Sequence, residues 1–143
     1  MGTRSITQIY DQDQLMCTIY RQFDGYLSGH GKDIQDSLGS REFVNGIPFS
    51  TDGEQKYVNG MGCLAALLIS HIKNNKAGNL YLKVPDPHTR ESWIYTLRGD
   101  SFQPELGVHL TVYAYAKVIY EGPLSAFDAE KVQSELDYDE DDE

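Results

Sequence analysis

The chain has 143 residues, with 22 acids against 12 Lys plus Arg and a formal charge of −10. That length supports one domain able to bury a core without staples. The acidic balance argues against sequence-independent nucleic-acid binding, which needs clustered Lys and Arg, and against docking on anionic lipid.

Residues 3–10 give a weak strand signal through Thr3, Ile6, Ile9 and Tyr10. Asp11-Gln12-Asp13-Gln14 is a polar turn, and Leu15–Phe23 reads as a second strand, so the two form a hairpin. Asp24-Gly25 breaks the strand. The Gly-rich loop Ser28-Gly29-His30-Gly31 then opens a short helix over Lys32–Leu38, ended by Gly39. Residues 40–58 read mainly as loop.

Asn59–Asn75 carries the strongest helical pattern. Met61, Leu64, Ala65, Leu68 and Ile72 lie on one stripe, widened by Leu67, with Asn59 as the expected cap and Gly78 near the C-terminal end. Strands follow at Asn79–Val84 and Glu91–Arg98, separated by Pro85-Asp86-Pro87. A single long strand is predicted over Val108–Tyr120, stopped by Gly122-Pro123. Ser125 is the expected cap of a short helix. Residues 135–143 hold seven of the 22 acids, which leaves residues 1–134 nearly balanced. Such a self-repelling run predicts disorder. The expected fold is therefore α+β: a single domain over 1–134, a mostly antiparallel sheet packed on one main helix, and an acidic disordered tail over 135–143.

Cys17 and Cys63 are too few for a disulfide scaffold and read as reduced, buried small hydrophobes in a reducing cytoplasm. The longest apolar run, Cys63–Ile69, falls short of the roughly 18 residues of a membrane span. Neither an apolar signal core nor a complete myristoylation motif is present: Ile6 stands where Ser or Thr is required. A soluble, cytoplasmic protein without membrane partners is expected.

The chemistry-bearing segment is Tyr20–Lys32. It gathers Arg21, Asp24, Ser28, His30, Lys32 and three glycines at a strand–loop–helix transition. Such a loop exposes backbone N–H groups at a helix start, where Arg21, His30 and Lys32 add positive charge for a phosphate or carboxylate. Asp24 would orient Arg21 or His30, Gly29 and Gly31 would admit the backbone, and Arg4 would neighbour the site through the hairpin. Known motifs fail. Five residues rather than four separate Gly25 from Gly31, with Asp33 after Lys32, so there is no P-loop. Ile34 replaces the third dinucleotide-binding glycine, and Tyr26 replaces the first glycine of a nucleophile elbow. His30, His71, His88 and His109 show no metal-ligand spacing, so no metal and no cofactor are expected. Trp93, Tyr95, Tyr113, Tyr115 and Tyr120 read as sheet aromatics or as a platform for a planar ligand.

The opening Met1-Gly2-Thr3-Arg4-Ser5 and the run from Tyr20-Arg21-Gln22-Phe23-Asp24-Gly25-Tyr26 through Ser28-Gly29-His30-Gly31 resemble a group of small uncharacterised phage and bacterial proteins. Trp93–Arg98 and Lys117–Gly122 are similar too, while Leu27 stands where that group would have Pro. The resemblance implies a phage setting, in a host cytoplasm, and supplies no mechanism. The leading expectation is a non-enzymatic binding protein, a phage accessory or counter-defence factor taking a host protein or a small anionic ligand. Its ligand-binding residues would be Arg4, Arg21, Asp24, Ser28, Gly29, His30, Gly31 and Lys32. One alternative is an enzyme on a phosphate or nucleotide ester, with His30 as general acid–base and Asp24 orienting it. Another is an acidic-tail mimic occupying a basic host surface. No extended nucleic-acid surface is evident, and a homo-oligomer stays open.

Overall fold

The computed structural model describes residues 2–46 and 56–141. Strands β1 (Ser5–Asp11) and β2 (Gln14–Arg21) form the expected antiparallel hairpin. Its two-residue turn places Gln12 and Asp13 at φ 52° and 67°, the left-handed geometry that matches strand twist. A π-helical turn (Leu27–Gly31) leads into α1 (Lys32–Leu38). The predicted loop 40–58 instead contains two short strands, β3 (Glu42–Val44) and β4 (Tyr57–Asn59), which pair in parallel. Three-residue strands are too short to show an alternation, and residues 47–55 of that loop lie outside the described residues.

Helix α2 (Gly60–Lys73) buries Met61, Leu64, Ala65 and Leu68, the predicted stripe. Its ends differ from expectation. The Asn59 side chain accepts from the Gly46 amide at 2.7 Å rather than capping its own helix. The cap comes from across the fold: the Ser101 hydroxyl accepts from the Met61 amide at 2.9 Å and donates to Asp11 at 2.7 Å. At the other end Asn74, at φ 45°, closes the helix, and Gly78 lies in the loop beyond.

Strands β5 (Leu80–Lys83) and β6 (Trp93–Gly99) match the predicted pair. The predicted single strand 108–120 is two, β7 (His109–Ala114) and β8 (Lys117–Pro123), folded back at Tyr115-Ala116. Both turn residues take positive φ, 52° and 66°, without the Asn or Gly that normally marks such a turn. A 3-10 turn (Leu124–Ala126) precedes α3 (Ala129–Asp141). Asp128, not Ser125, caps it through the Lys131 amide at 3.2 Å. The acidic run expected as a tail thus starts on this helix, which packs Val132 and Leu136 on the core. Residues 142 and 143 lie outside the described residues.

The six-stranded sheet runs β5-β2-β1-β6-β7-β8, antiparallel except for the central β1–β6 pair. Ile9, Ile19, Tyr95, Leu97, Leu110 and Val112 share one face and form one core with Leu27, α1, α2 and α3. Alternate residues face the other way. There the buried Gln8 accepts from the Thr18 hydroxyl at 2.5 Å and donates to the Asp86 carbonyl at 2.7 Å, tying the 84–92 connection to the sheet. No helix among the described residues is long and apolar enough to cross a membrane.

Ser101→Ala leaves the Met61 N–H and the Asp11 carboxylate without their shared partner. It should lower stability by about 1–2 kcal/mol in urea denaturation while leaving the far-ultraviolet spectrum intact.

Candidate functional site

Asp24 turns the chain after β2. It sits at φ 63°, and its carbonyl accepts from the His30 amide at 2.7 Å. Gly25 is needed for close approach, because a Cβ there would stand 2.8 Å from the Arg4 carbonyl carbon. The Gly25 amide donates to the Thr3 carbonyl at 2.9 Å, and its own carbonyl accepts from the Tyr95 hydroxyl at 2.8 Å. Those bonds pin the segment to the starts of β1 and β6. Leu27 then drops fully into the core and draws the π-turn down onto the sheet.

His30 is carried under that turn and has no exposed surface. One ring nitrogen, Nε2, lies 2.6 Å from Thr7 Oγ1, and the other, Nδ1, lies 3.2 Å from Arg21 Nη1. A guanidinium only donates, so Nδ1 is the acceptor and the proton sits on Nε2, donating to Thr7. The ring also packs edge-on against Tyr95, centroids 4.7 Å apart. Burial, reinforced by the adjacent Arg21 charge, pushes the His30 pKa down to about 3. Burial likewise raises that of the Tyr95 hydroxyl. Both rings are neutral in ordinary buffers.

Arg21 is 94% buried by the same packing, since only 6% of it is exposed, and its charge is met by Asp33 Oδ2 at 2.6 Å. The second oxygen, Asp33 Oδ1, faces His71 Nε2 on α2 at 3.3 Å. A polar chain therefore runs Thr7–His30–Arg21–Asp33–His71 from the sheet to the surface. Ser5, opposite Arg21 across the hairpin, is buried as well.

Arg21 and His30 are thus the two predicted site residues that the fold brings together. The expected orienting role of Asp24 belongs to Asp33. The Asp24 carboxylate is exposed and accepts from the Tyr26 hydroxyl at 3.1 Å. Lys32 pairs on the surface with Asp36 at 3.2 Å. Ser28 is exposed on the π-turn, and Arg4 is exposed just before β1. The amides of the expected anion cradle are engaged internally. Those of Gly29 and Gly31 donate to the Tyr26 carbonyl, that of His30 to Asp24, and that of Lys32 to Gly29 and Leu27. Gly29 meets the Asp24 carbonyl, and Gly31 meets the Leu27 side chain, so both glycines serve packing.

Asp33 was reachable from sequence: His30 and Asp33 are spaced i, i+3, which one helical path puts on one side. Thr7, Tyr95 and His71 join from other elements and leave no local signal. The aromatics follow the sheet reading rather than the platform. Trp93 and Tyr95 are buried under the helices, Tyr113 pairs with Ile94 on the opposite face, and Tyr115 occupies an exposed turn. Among the described residues no His, Cys, Asp and Glu group is arranged to hold a metal ion.

At another edge of the core, a cleft of about 770 Å³ opens between the end of α1, β3 and the turn over Pro104–Leu106. Phe43, Val58 and Leu64 supply apolar lining, Arg41 and Arg98 stand against Asp13, Glu42, Asp100 and Glu105, and Leu106 is 70% exposed. Arg98 stacks over the Tyr10 ring at 3.9 Å, on the sheet face turned away from the helices, where His109 also faces Glu121 at 4.0 Å. No family model, curated protein or solved structure matches this chain.

Two outcomes test the buried chain. Asp33→Asn, which uncouples a buried charge, should cost about 3–5 kcal/mol. For His30, the folded state resists protonation down to about pH 3, whereas the unfolded chain takes up the proton near 6.5. Unfolded molecules therefore bind more protons between those values, and stability rises with pH across the window. Denaturation between pH 7 and 5 should show a fall on the order of 1 kcal/mol per pH unit below about 6.5. His30→Gln should flatten that slope; an unchanged slope would assign it to other groups.

Proposed function

We propose that this protein is a non-enzymatic binding protein, with the cleft beside β3 as its contact for a partner. One observation carries the reading: the Arg–His–Asp cluster is directed inward. A general acid–base must reach a substrate proton and titrate near the working pH. His30 has both nitrogens bonded within the fold, no exposed surface and a pKa near 3. The ester-cleaving alternative loses its proposed catalyst on those grounds.

The cleft combines what a ligand site needs, an apolar lining with a few polar groups. Asp13, Glu42, Asp100 and Glu105 stand beside Arg41, Arg98 and His109 in the lining, so the apolar residues carry the contact, with either a small anionic molecule or a segment of a host protein as the ligand. The resemblance of residues 1–5 and 20–31 to phage proteins supports an accessory or counter-defence role for that contact.

A panel of nucleoside phosphates and cyclic dinucleotides, titrated calorimetrically, tests the proposal. Saturable binding without turnover is expected, weakened at least about tenfold by Leu106→Asp in the cleft and unaffected by Lys32→Ala. Turnover lost in His30→Gln would overturn it. Binding lost in Lys32→Ala but kept in Leu106→Asp would move the site to the π-turn.

A further inference from the structure

Strand β5 ends the sheet, and among the described residues nothing pairs with its outer side. Natural edge strands are usually covered, charged or interrupted, because their free backbone groups recruit other strands. This one carries Leu82 at 67% and Val84 at 85% exposure, with Tyr81 also exposed.

The backbone pattern says which groups are free. Bonding along β2–β5 begins with the Gln22 amide on the Asn79 carbonyl at 2.8 Å. Antiparallel ladders alternate bonded and non-bonded pairs. Tyr20–Tyr81 and Thr18–Lys83 are then the bonded pairs, and Ile19–Leu82 is a non-bonded one. The N–H and C=O of Leu82 therefore point to the open edge. Leu80 points there too, but its carbonyl already accepts from Lys73 Nζ at 3.0 Å and its amide donates to Gly78.

We propose that β5 pairs with β5 of a second copy of this chain, antiparallel about a two-fold axis at Leu82. In that register Leu82 exchanges both backbone bonds with its symmetry mate. Leu80 faces Val84, and Tyr81 faces Lys83. The face shared with the helices is thus apolar against apolar. The opposite face sets a lysine beside a tyrosine, a pairing the chain already makes twice: Lys73 lies 5.5 Å from the Tyr81 ring and Lys83 lies 5.4 Å from the Tyr20 ring. Self-complementarity of this kind is what an isologous interface requires. An unrelated peptide would need no such match between residues 80 and 84.

Sedimentation equilibrium of the full chain over a concentration series is the test. A reversible dimer is expected, weakened at least about tenfold by Leu82→Pro. That substitution removes the outward N–H and no bond of the β2–β5 ladder, so the monomer fold should persist by circular dichroism. Leu82→Lys should act likewise. Leu82→Cys should give a disulfide-linked dimer under mild oxidation, since opposed Cα atoms at a bonded pair stand about 5.5 Å apart. A wild-type monomer throughout, a dimer indifferent to Leu82→Pro, or absence of the Leu82→Cys crosslink would overturn the proposal.

Discussion

A buried guanidinium sets the terms for the first third of the chain. Arg21 ends β2 on the side that faces the helices, where a permanent charge can be held only if it is paired and hydrogen-bonded. Asp33 supplies the counter-charge, and the neutral His30 ring supplies a further acceptor. Both come from the segment that follows the strand, so that segment must fold back over it. The π-turn is the means. It brings His30 onto Thr7 and starts α1 with Asp33 already aimed at Arg21. Gly25 and Gly29 permit the close backbone approaches that this reversal demands.

The same constraint explains why the residue types of an active site need not make one. Arg, His and Asp converge here with short contacts, and His30 carries a strongly displaced pKa. Displacement alone marks a functional candidate only when the group can meet solvent or substrate. Here desolvation is the first cause, and the ring has no exposed surface. The displaced value therefore measures how dry the packing is. The cleft and the free edge of the sheet, the surfaces proposed above for partners, lie outside the cluster.

The hairpin, the apolar stripe of α2 and the antiparallel character of the sheet were legible in the sequence, because each is a local period repeated over several residues. What escaped was tertiary in origin. Asn59 looks like a cap, yet Ser101, forty positions away, reaches the helix start first. The Tyr115-Ala116 turn is hidden because the alternation of Val108–Tyr120 runs through it without a breaking residue. In the site, Arg21 and His30 are identifiable as a pair, whereas an irregular loop over residues 28–31 would point to Asp24 as their partner; a continuous helical path from Leu27 aligns His30 with Asp33 instead. Thr7 and Tyr95 depend on the parallel β1–β6 pairing, which no short-range pattern encodes.

The ion pair also selects among pairings of the hairpin. In the observed register Ser5 opposes Arg21 and Thr7 opposes Ile19, so Arg21, Thr7 and Ile9 share the helix face. A slip of one residue sends alternate side chains to opposite faces. It would carry Arg21 to the outer side, away from Asp33, and would turn Ile19 out of the core with it. A purely apolar alternation would resist that slip through burial alone. Here the slip also strands a carboxylate on α1 and takes from His30 Nδ1 its guanidinium donor. Hydrophobic pattern and charge therefore agree on one alignment, and agreement between levels is what narrows a sequence to a single structure. Because β5 continues the same alignment from the far side of β2, the outward direction of the Leu82 backbone follows from where Arg21 is buried.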